Sequence, residues 1–290
     1  MPILASATRV RTLALAALLC GTPSHFIPLT AQQNHEREHA DSSRRSSTET
    51  LLEPRDAMLL AAFVGGTLAL APFDRSFAQR LQNPTTQADR DFANAASAFR
   101  FFGGPGPLLI GPALYIGGRL SHVPLIADLG LHGTEAVVVG GAVGFVIKGL
   151  AGRARPYTVA DSNPRDFALG RGFVRGSPYS SFPSGHTTAA FAAAAAVTSE
   201  AARWRPRTAW VVGPLMYGGA TLVGVSRMYH DQHWASDVVF GAAVGTFVGL
   251  KLVRYEHLHP ENLVDRVLLP TTVGLDGHGN TTLAWDIPFR

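Results

Sequence analysis

A chain of 290 residues is long enough for one sizeable domain or two small ones, and one is expected here. Apolar residues make up 46% of it and Asp, Glu, Lys and Arg only 16%, well below the roughly 25% charged fraction usual in soluble domains, so much of its surface must be buried or face lipid. The net charge of +4 suits an anionic partner, but the basic residues between Lys148 and Arg175 carry no helix-turn-helix, zinc-finger or RNA-binding signature, which excludes nucleic acid as the expected target.

The chain opens on an address-like pattern. Arg9 and Arg11 precede an apolar run over residues 13–20, and Gly21, Thr22, Pro23 and Ser24 close it, the basic, apolar and small-residue order of a secretory signal. Residues 1–24 are therefore expected to be a signal or an N-terminal anchor segment. The run is too short to span a bilayer comfortably, and Ala17 and Leu19 do not fit a lipoprotein signal ahead of the single cysteine, Cys20. With one cysteine there is no disulfide framework and no thiolate metal site. Residues 25–55 form a polar tail, with Ser42, Ser43, Arg44, Arg45, Ser46 and Ser47 in succession, which cannot bury enough apolar area to order itself.

Residues 56–258 read as a helical domain and 259–290 as a C-terminal extension. Six apolar segments fall at 57–72, 106–118, 135–150, 187–202, 209–225 and 236–253, rich in Ala, Gly, Leu and Val and separated by polar, Pro- and Asn-containing connections. That pattern favours helices over strands. Between the first two, Phe92, Ala95, Ala96 and Phe99 fall at helical spacing within 87–102, the mark of an amphipathic helix. The fold class is all-α: a bundle of about six core helices, with small residues letting backbones approach closely. Beyond it, residues 267–275 and 281–287 flank Asp276, Gly277, His278, Gly279 and Asn280, a turn that predicts a small β-hairpin.

Most of the six segments are at or below the roughly 17–25 residues of a spanning helix, and Lys148, Glu200 and Asp237 lie within them or at their ends. Two topologies are self-consistent. In one, six spans keep an uncleaved N-terminus in the cytoplasm, with Arg203, Arg205, Arg207 and Arg254 on the same side. In the other, a cleaved signal releases a periplasmic or secreted bundle that does not span. Either way the connection after the third segment faces outward, in the cell envelope.

Three clusters lie at the helix ends: Lys148 with Arg155-Pro156; Pro183-Ser184-Gly185-His186; and Ser226-Arg227 with His233 and Asp237. The connections carrying them fall at one end of an up-down bundle and can converge. Lys148, Arg155 and Arg227 would supply positive charge, and guanidinium forks match phosphate oxygens. Ser184 and Gly185 stand where the fourth helix begins, so their N–H groups and the helix dipole can hold the same anion. His186, in the first turn, is placed to donate a proton to a leaving oxygen. His233 and Asp237 are four apart, and a carboxylate on one imidazole nitrogen would leave the other as a nucleophile. With three cations on the equatorial oxygens, a phosphoryl transfer there needs no metal.

Lysine, six residues, Arg-Pro; then Pro-Ser-Gly-His; then Ser-Arg, five residues, His, three residues, Asp: this resembles the three-part signature of the type 2 phosphatidic acid phosphatase family, whose fold is shared with bacterial class A acid phosphatases and vanadium-dependent haloperoxidases. The resemblance implies that His233 attacks phosphorus, Asp237 orients it and His186 protonates the leaving oxygen and later activates water. It implies that Lys148, Arg155, Ser184, Gly185 and Arg227 bind the phosphate, that no metal or other cofactor is used, and that the substrate is a phosphorylated lipid or small molecule at a membrane. A vanadium haloperoxidase, with vanadate as cofactor rather than inhibitor, and a non-catalytic phosphate- or lipid-binding envelope protein are the alternatives.

Taken singly, each residue has a plainer reading. His186 alone would be a helix N-terminal residue, Arg155-Pro156 a solvated loop, Lys148 a snorkelling helix end, and His233 with Asp237 a structural pair or, with His230 and Asp231, a metal cluster. His122, His132, His257 and His259 have no motif context and read as surface or structural.

Overall fold

The computed structural model describes residues 50–158, 163–259, 262, 272–275 and 281–284. The expected signal segment and all but the end of the polar tail lie outside them.

Ten helices follow one another among the described residues. Helix α1 (Pro54–Leu70) starts on a proline, with the Asp56 carboxylate accepting from the Glu53 N–H at 2.6 Å, and a 3₁₀ turn leads into α2 (Asp74–Leu81). The amphipathic stretch is two helices, α3 (Pro84–Ala88) and α4 (Arg90–Gly103). The break falls at Asp89, whose carboxylate caps α4 by accepting from the N–H groups of Asp91 and Phe92. Then come α5 (Pro105–Leu120), α6 (Pro124–Ala151), the short α7 (Arg171–Arg175), α8 (Gly185–Trp204), α9 (Ala209–Tyr229) and α10 (Ala235–Leu258). Strands β1 (Thr272–Leu275) and β2 (Thr281–Ala284) pair antiparallel, Thr272 opposite Ala284 and Leu275 opposite Thr281; the expected turn between them lies outside the described residues.

Helix α8 is the axis of the bundle, packed by α6, α9 and α10. Its alanines Ala192, Ala194, Ala195 and Ala196 are wholly buried, and the helix that crosses it most intimately has almost no side chains to offer. A Cβ on Gly241 of α10 would come within 2.7 Å of the Ser184 carbonyl, one on Gly249 within 2.5 Å of the Ala192 carbonyl, and one on Gly245 would strike the Thr188 carbonyl. These three glycines, one per turn, let backbone pack on backbone, and so fix the start of α10 beside the start of α8.

Read from composition alone, most of the apolar segments are short for spanning helices. The helices overrun them: Pro54–Leu81, Pro124–Thr158, Pro206–Tyr229 and Ala235–Leu258 are each long and apolar enough to cross a membrane. The largest extension is at the start of α6, where Asp128 and His132 interrupt the apolar run but point at neighbouring helices, Asp128 accepting from the Trp204 indole N–H at 3.2 Å. Large apolar side chains such as Leu68, Phe145, Trp210 and Leu215 stand on the outside of the bundle, as lipid-facing residues do. The chain is built as an integral membrane protein, and the reading as a soluble secreted bundle is set aside on these helices.

Candidate active site

Helix α6 stops at Gly152, whose φ of +53° is the left-handed conformation glycine tolerates best, with its N–H returned to the Lys148 carbonyl at 3.1 Å. The chain then runs through Arg153, Ala154 and Arg155 under the loop that leads to α8. Backbone bonds stitch the two: Arg155 N–H to Pro178 O at 2.9 Å and Ser181 N–H to Arg153 O at 3.0 Å. The Trp234 indole N–H closes the third side on the Ala154 carbonyl at 2.9 Å. In this way the connections α6–α8 and α9–α10 meet at one end of the bundle, as expected.

The Lys148 ammonium donates to the carbonyls of Ser180 (3.0 Å) and Pro183 (2.5 Å) and lies beside Gly185, where a Cβ would sit 3.2 Å from Lys148 Cε. Arg155 donates from Nη1 to Gln232 Oε1 at 2.5 Å and from Nε to Ser177 O at 2.8 Å. Arg227, on the last turn of α9, is buried, and its Nε has no hydrogen-bond partner. A buried guanidinium with a donor unspent is a group built for an anion. Arg227 and His186 share the wall of a cleft of about 430 Å³ with Arg100, Ser97, Phe101 and Pro105. The α4–α5 junction forms its roof: a Cβ on Gly104 would lie 3.2 Å from His186 Nε2.

His186 is driven down to about 4, first by burial and then by the charges of Arg227, Lys148, Arg155 and Arg100. Four cations therefore bear on one imidazole. His233, buried in the loop before α10, is driven down to about 3, chiefly by burial and further by Lys148 and Arg155, against the opposing pull of Asp237. It is a neutral imidazole, and its Nδ1 lies 2.8 Å from the Ser181 carbonyl. A carbonyl only accepts, so Nδ1 carries the hydrogen and the lone pair is on Nε2.

Here the geometry differs from the expectation for Asp237, whose Oδ2 stands 3.6 Å from His233 Nδ1, beyond hydrogen-bond reach. The backbone of Ser181 sets the tautomer instead. The Asp237 carboxylate is engaged elsewhere: it accepts from Arg153 Nη1 (2.5 Å), Ser181 Oγ (2.5 Å) and the Trp234 N–H (2.9 Å). Arg153 in turn donates to Asp74 Oδ2 at 2.7 Å, and Asp74 accepts from the Ser236 N–H (2.8 Å) and hydroxyl (2.6 Å). Asp74, Arg153 and Asp237 are all buried, forming an ionic core beneath the His233 loop.

Ser184 also differs. Its N–H donates to the Asp237 carbonyl at 3.0 Å, and its Oγ caps α8 by accepting from Thr187 N–H and Oγ1. The dipole end of α8 is therefore presented by the N–H groups of Gly185 and His186, which have no acceptor within the helix. Arg100, Arg153, Asp74, Ser181 and Gln232 were not singled out in the sequence. Gln232, immediately before His233, and Arg153 and Ser181, two residues before Arg155 and Pro183, lay nearest to the quoted motifs.

Residues 131–259 match the PAP2 superfamily. Over 138 residues the chain is 34% identical to a lipid A 1-phosphatase of Porphyromonas gingivalis, covering 44% of this chain and 27% of that one. Over 127 residues it is 27% identical to an undecaprenyl-diphosphatase of Sulfolobus acidocaldarius, covering 43% and 58%. The chain thus spans less than two thirds of either relative. In fold it is similar to the crystal structure of a transmembrane PAP2 type phosphatidylglycerolphosphate phosphatase from Bacillus subtilis, with a TM-score of 0.50 over 70% of this chain and 96% of that one, at 19% identity. Motif order, helical fold and family match agree over residues 131–259, the part of the chain that is similar to the PAP2 superfamily.

Proposed function

We propose that the chain is a metal-independent phosphatase that hydrolyses phosphate monoesters or diphosphates borne on a lipid, through a phosphohistidine on His233, with its pocket facing the exterior or periplasm. The observation that carries this reading is the buried, unspent Nε of Arg227 in a cleft whose other wall is His186. Lys148, Arg155, Arg227 and the N–H groups of Gly185 and His186 hold the phosphoryl oxygens. His233 Nε2 attacks phosphorus, the P–O bond to the alcohol breaks, and His186, protonated, gives its proton to the departing oxygen. The phosphoimidazole keeps its Nδ1–H on Ser181 and gains positive charge, which the Asp237 carboxylate 3.6 Å away stabilises. His186, now neutral, takes a proton from water as the water oxygen bonds to phosphorus, and the N–P bond breaks to release phosphate.

A lipid substrate is supported by a neighbouring apolar cavity of about 420 Å³, walled by Phe99, Pro107, Leu114, Ala190, Met216 and Val223. Val223 and His186 both crowd Gly103, so this cavity adjoins the cleft where the phosphate would sit. The direct test is release of inorganic phosphate from phosphatidic acid and from a polyprenyl diphosphate by the detergent-purified protein in EDTA, with an alkaline quench to trap phosphohistidine. Release that requires added metal, or no phosphohistidine in a quench during turnover, would sink the proposal.

Two outcomes follow from His186. Its replacement by Ala should slow alkyl phosphates by about 10²-fold or more, the usual size of general acid catalysis, and p-nitrophenyl phosphate far less; equal losses on both would contradict the acid role. Burial first, and then the surrounding cations, hold its pKa down at about 4; a dianion offsets the cations' share, so the pKa should rise in the complex. NMR titration of the His186 ring should show its midpoint move upward when orthovanadate, expected as an inhibitor, is added. A midpoint that stays or falls would place the anion elsewhere.

A further inference from the structure

At the end of the bundle away from the phosphate cleft, three helices bring together a second set of polar side chains inside an apolar surround. His132 of α6 places Nδ1 2.6 Å from Glu200 Oε1 of α8, and His257 of α10 places Nε2 2.7 Å from the same oxygen. The two imidazoles meet edge to face, with centroids 5.6 Å apart. Glu200 is wholly buried and His132 2% exposed, while the His257 side chain, at 28%, leaves a way in from solvent.

We propose that His132, Glu200 and His257 bind a divalent transition metal, with Zn²⁺ the occupant their donors suit. Their ligand atoms all lie within 4.8 Å of one another. A tetrahedral ion at about 2.0–2.1 Å from each would set them roughly 3.3 Å apart, so the three need only spread slightly to admit it. Two imidazoles and a carboxylate favour zinc over the all-oxygen sites of calcium or magnesium. The second oxygen of Glu200, Oε2, is buried with no hydrogen-bond partner. A carboxylate serving only as acceptor for two imidazole N–H groups would be expected to satisfy that oxygen too; one that can turn toward a cation leaves it in reserve. Glu135 and Glu256 bring ligand atoms within 4.8 Å of His132 as well, surrounding that imidazole with the carboxylates that metal-bound histidines ordinarily have as outer partners.

The site is remote from the chemistry. His132 and Lys148 lie on one continuous helix, and a rise of 1.5 Å per residue puts their Cα atoms roughly 24 Å apart. The ion would serve as a clasp on α6, α8 and α10, the helices that carry Lys148, His186 and Asp237 at their other ends. Metal sites built from facing helices of a bundle have this form.

The test uses full-length protein purified in detergent without a polyhistidine tag and freed of metal by chelation. Titration with Zn²⁺ by calorimetry should give one saturable site per chain, and Co²⁺ should develop visible d–d absorption of a low-symmetry, nitrogen- and oxygen-ligated ion. His257→Ala, at a partly exposed position, and Glu200→Gln should each weaken Zn²⁺ binding by at least about tenfold. Zn²⁺ should also raise the thermal midpoint of the wild type and not that of His257→Ala. Absence of a saturable site in the wild type, or unchanged affinity in His257→Ala, overturns the proposal. So does loss of the site in His186→Ala with its retention in His257→Ala, which would put the ion in the phosphate cleft.

Discussion

His233→Ala should abolish turnover, a loss of at least about three orders of magnitude, as expected when a group acting in concert with its neighbours is removed, while orthovanadate still binds. The second half of that statement separates chemistry from folding. His233 would meet the substrate through its imidazole alone, whereas the anion would be held by Lys148, Arg155, Arg227 and the start of α8, none of which the substitution removes. Phosphate release from phosphatidic acid and isothermal binding of vanadate, run on the same preparation, check it. Activity above a few per cent of wild type would mean that another group attacks phosphorus; loss of vanadate binding as well would mean that the loop had collapsed.

Arg153→Met should be the most destabilising single change near the site. Arg153 bridges two buried carboxylates, Asp74 at 2.7 Å and Asp237 at 2.5 Å, and its removal leaves both without their cation. Breaking a buried ion pair by deleting one partner typically costs about 3–5 kcal/mol. Asp74→Asn in the same background should recover part of the loss, because it removes the carboxylate left facing nothing; the pair of substitutions should be less damaging than the sum. Thermal unfolding of the four proteins in one detergent measures this. A neutral Arg153→Met, or strict additivity, would show that solvent already reaches the ionic core.

How much of this was legible beforehand varies with the distance over which each feature is determined. The six apolar segments mark the core helices because composition alone dictates them. Their ends were short because polar residues such as Asp128 and His132 face Trp204 and Glu200 rather than water, and a linear reading cannot distinguish those destinations. The residues proposed to hold phosphate stood out as three spaced clusters, whose connections the fold brings to one end of the bundle. The support beneath them did not stand out: Asp74 and Arg153 are 79 positions apart, and neither is unusual in its own stretch of chain. The Ser181 carbonyl has no signature at all, since every residue carries one; only the turn of the chain before α8 makes it an acceptor for His233. The sequence pattern therefore pointed to Asp237 as the orienting partner, a role that its bonds to Arg153, Ser181 and Trp234 leave it too far away to fill by hydrogen bonding.

The bare stripe on α10 gives the pocket an unusual kind of calibration. Where Gly241, Gly245 and Gly249 meet α8, the nearest atom to each is a backbone carbonyl oxygen, of Ser184, Thr188 and Ala192 in turn, so the spacing is set chiefly by main-chain atoms that no rotamer change can move. The distance between the starts of α8 and α10, which carry His186 and Asp237, is thereby gauged from Gly241 beside Ser184 down to Gly249 two turns below, by the thickness of the polypeptide itself.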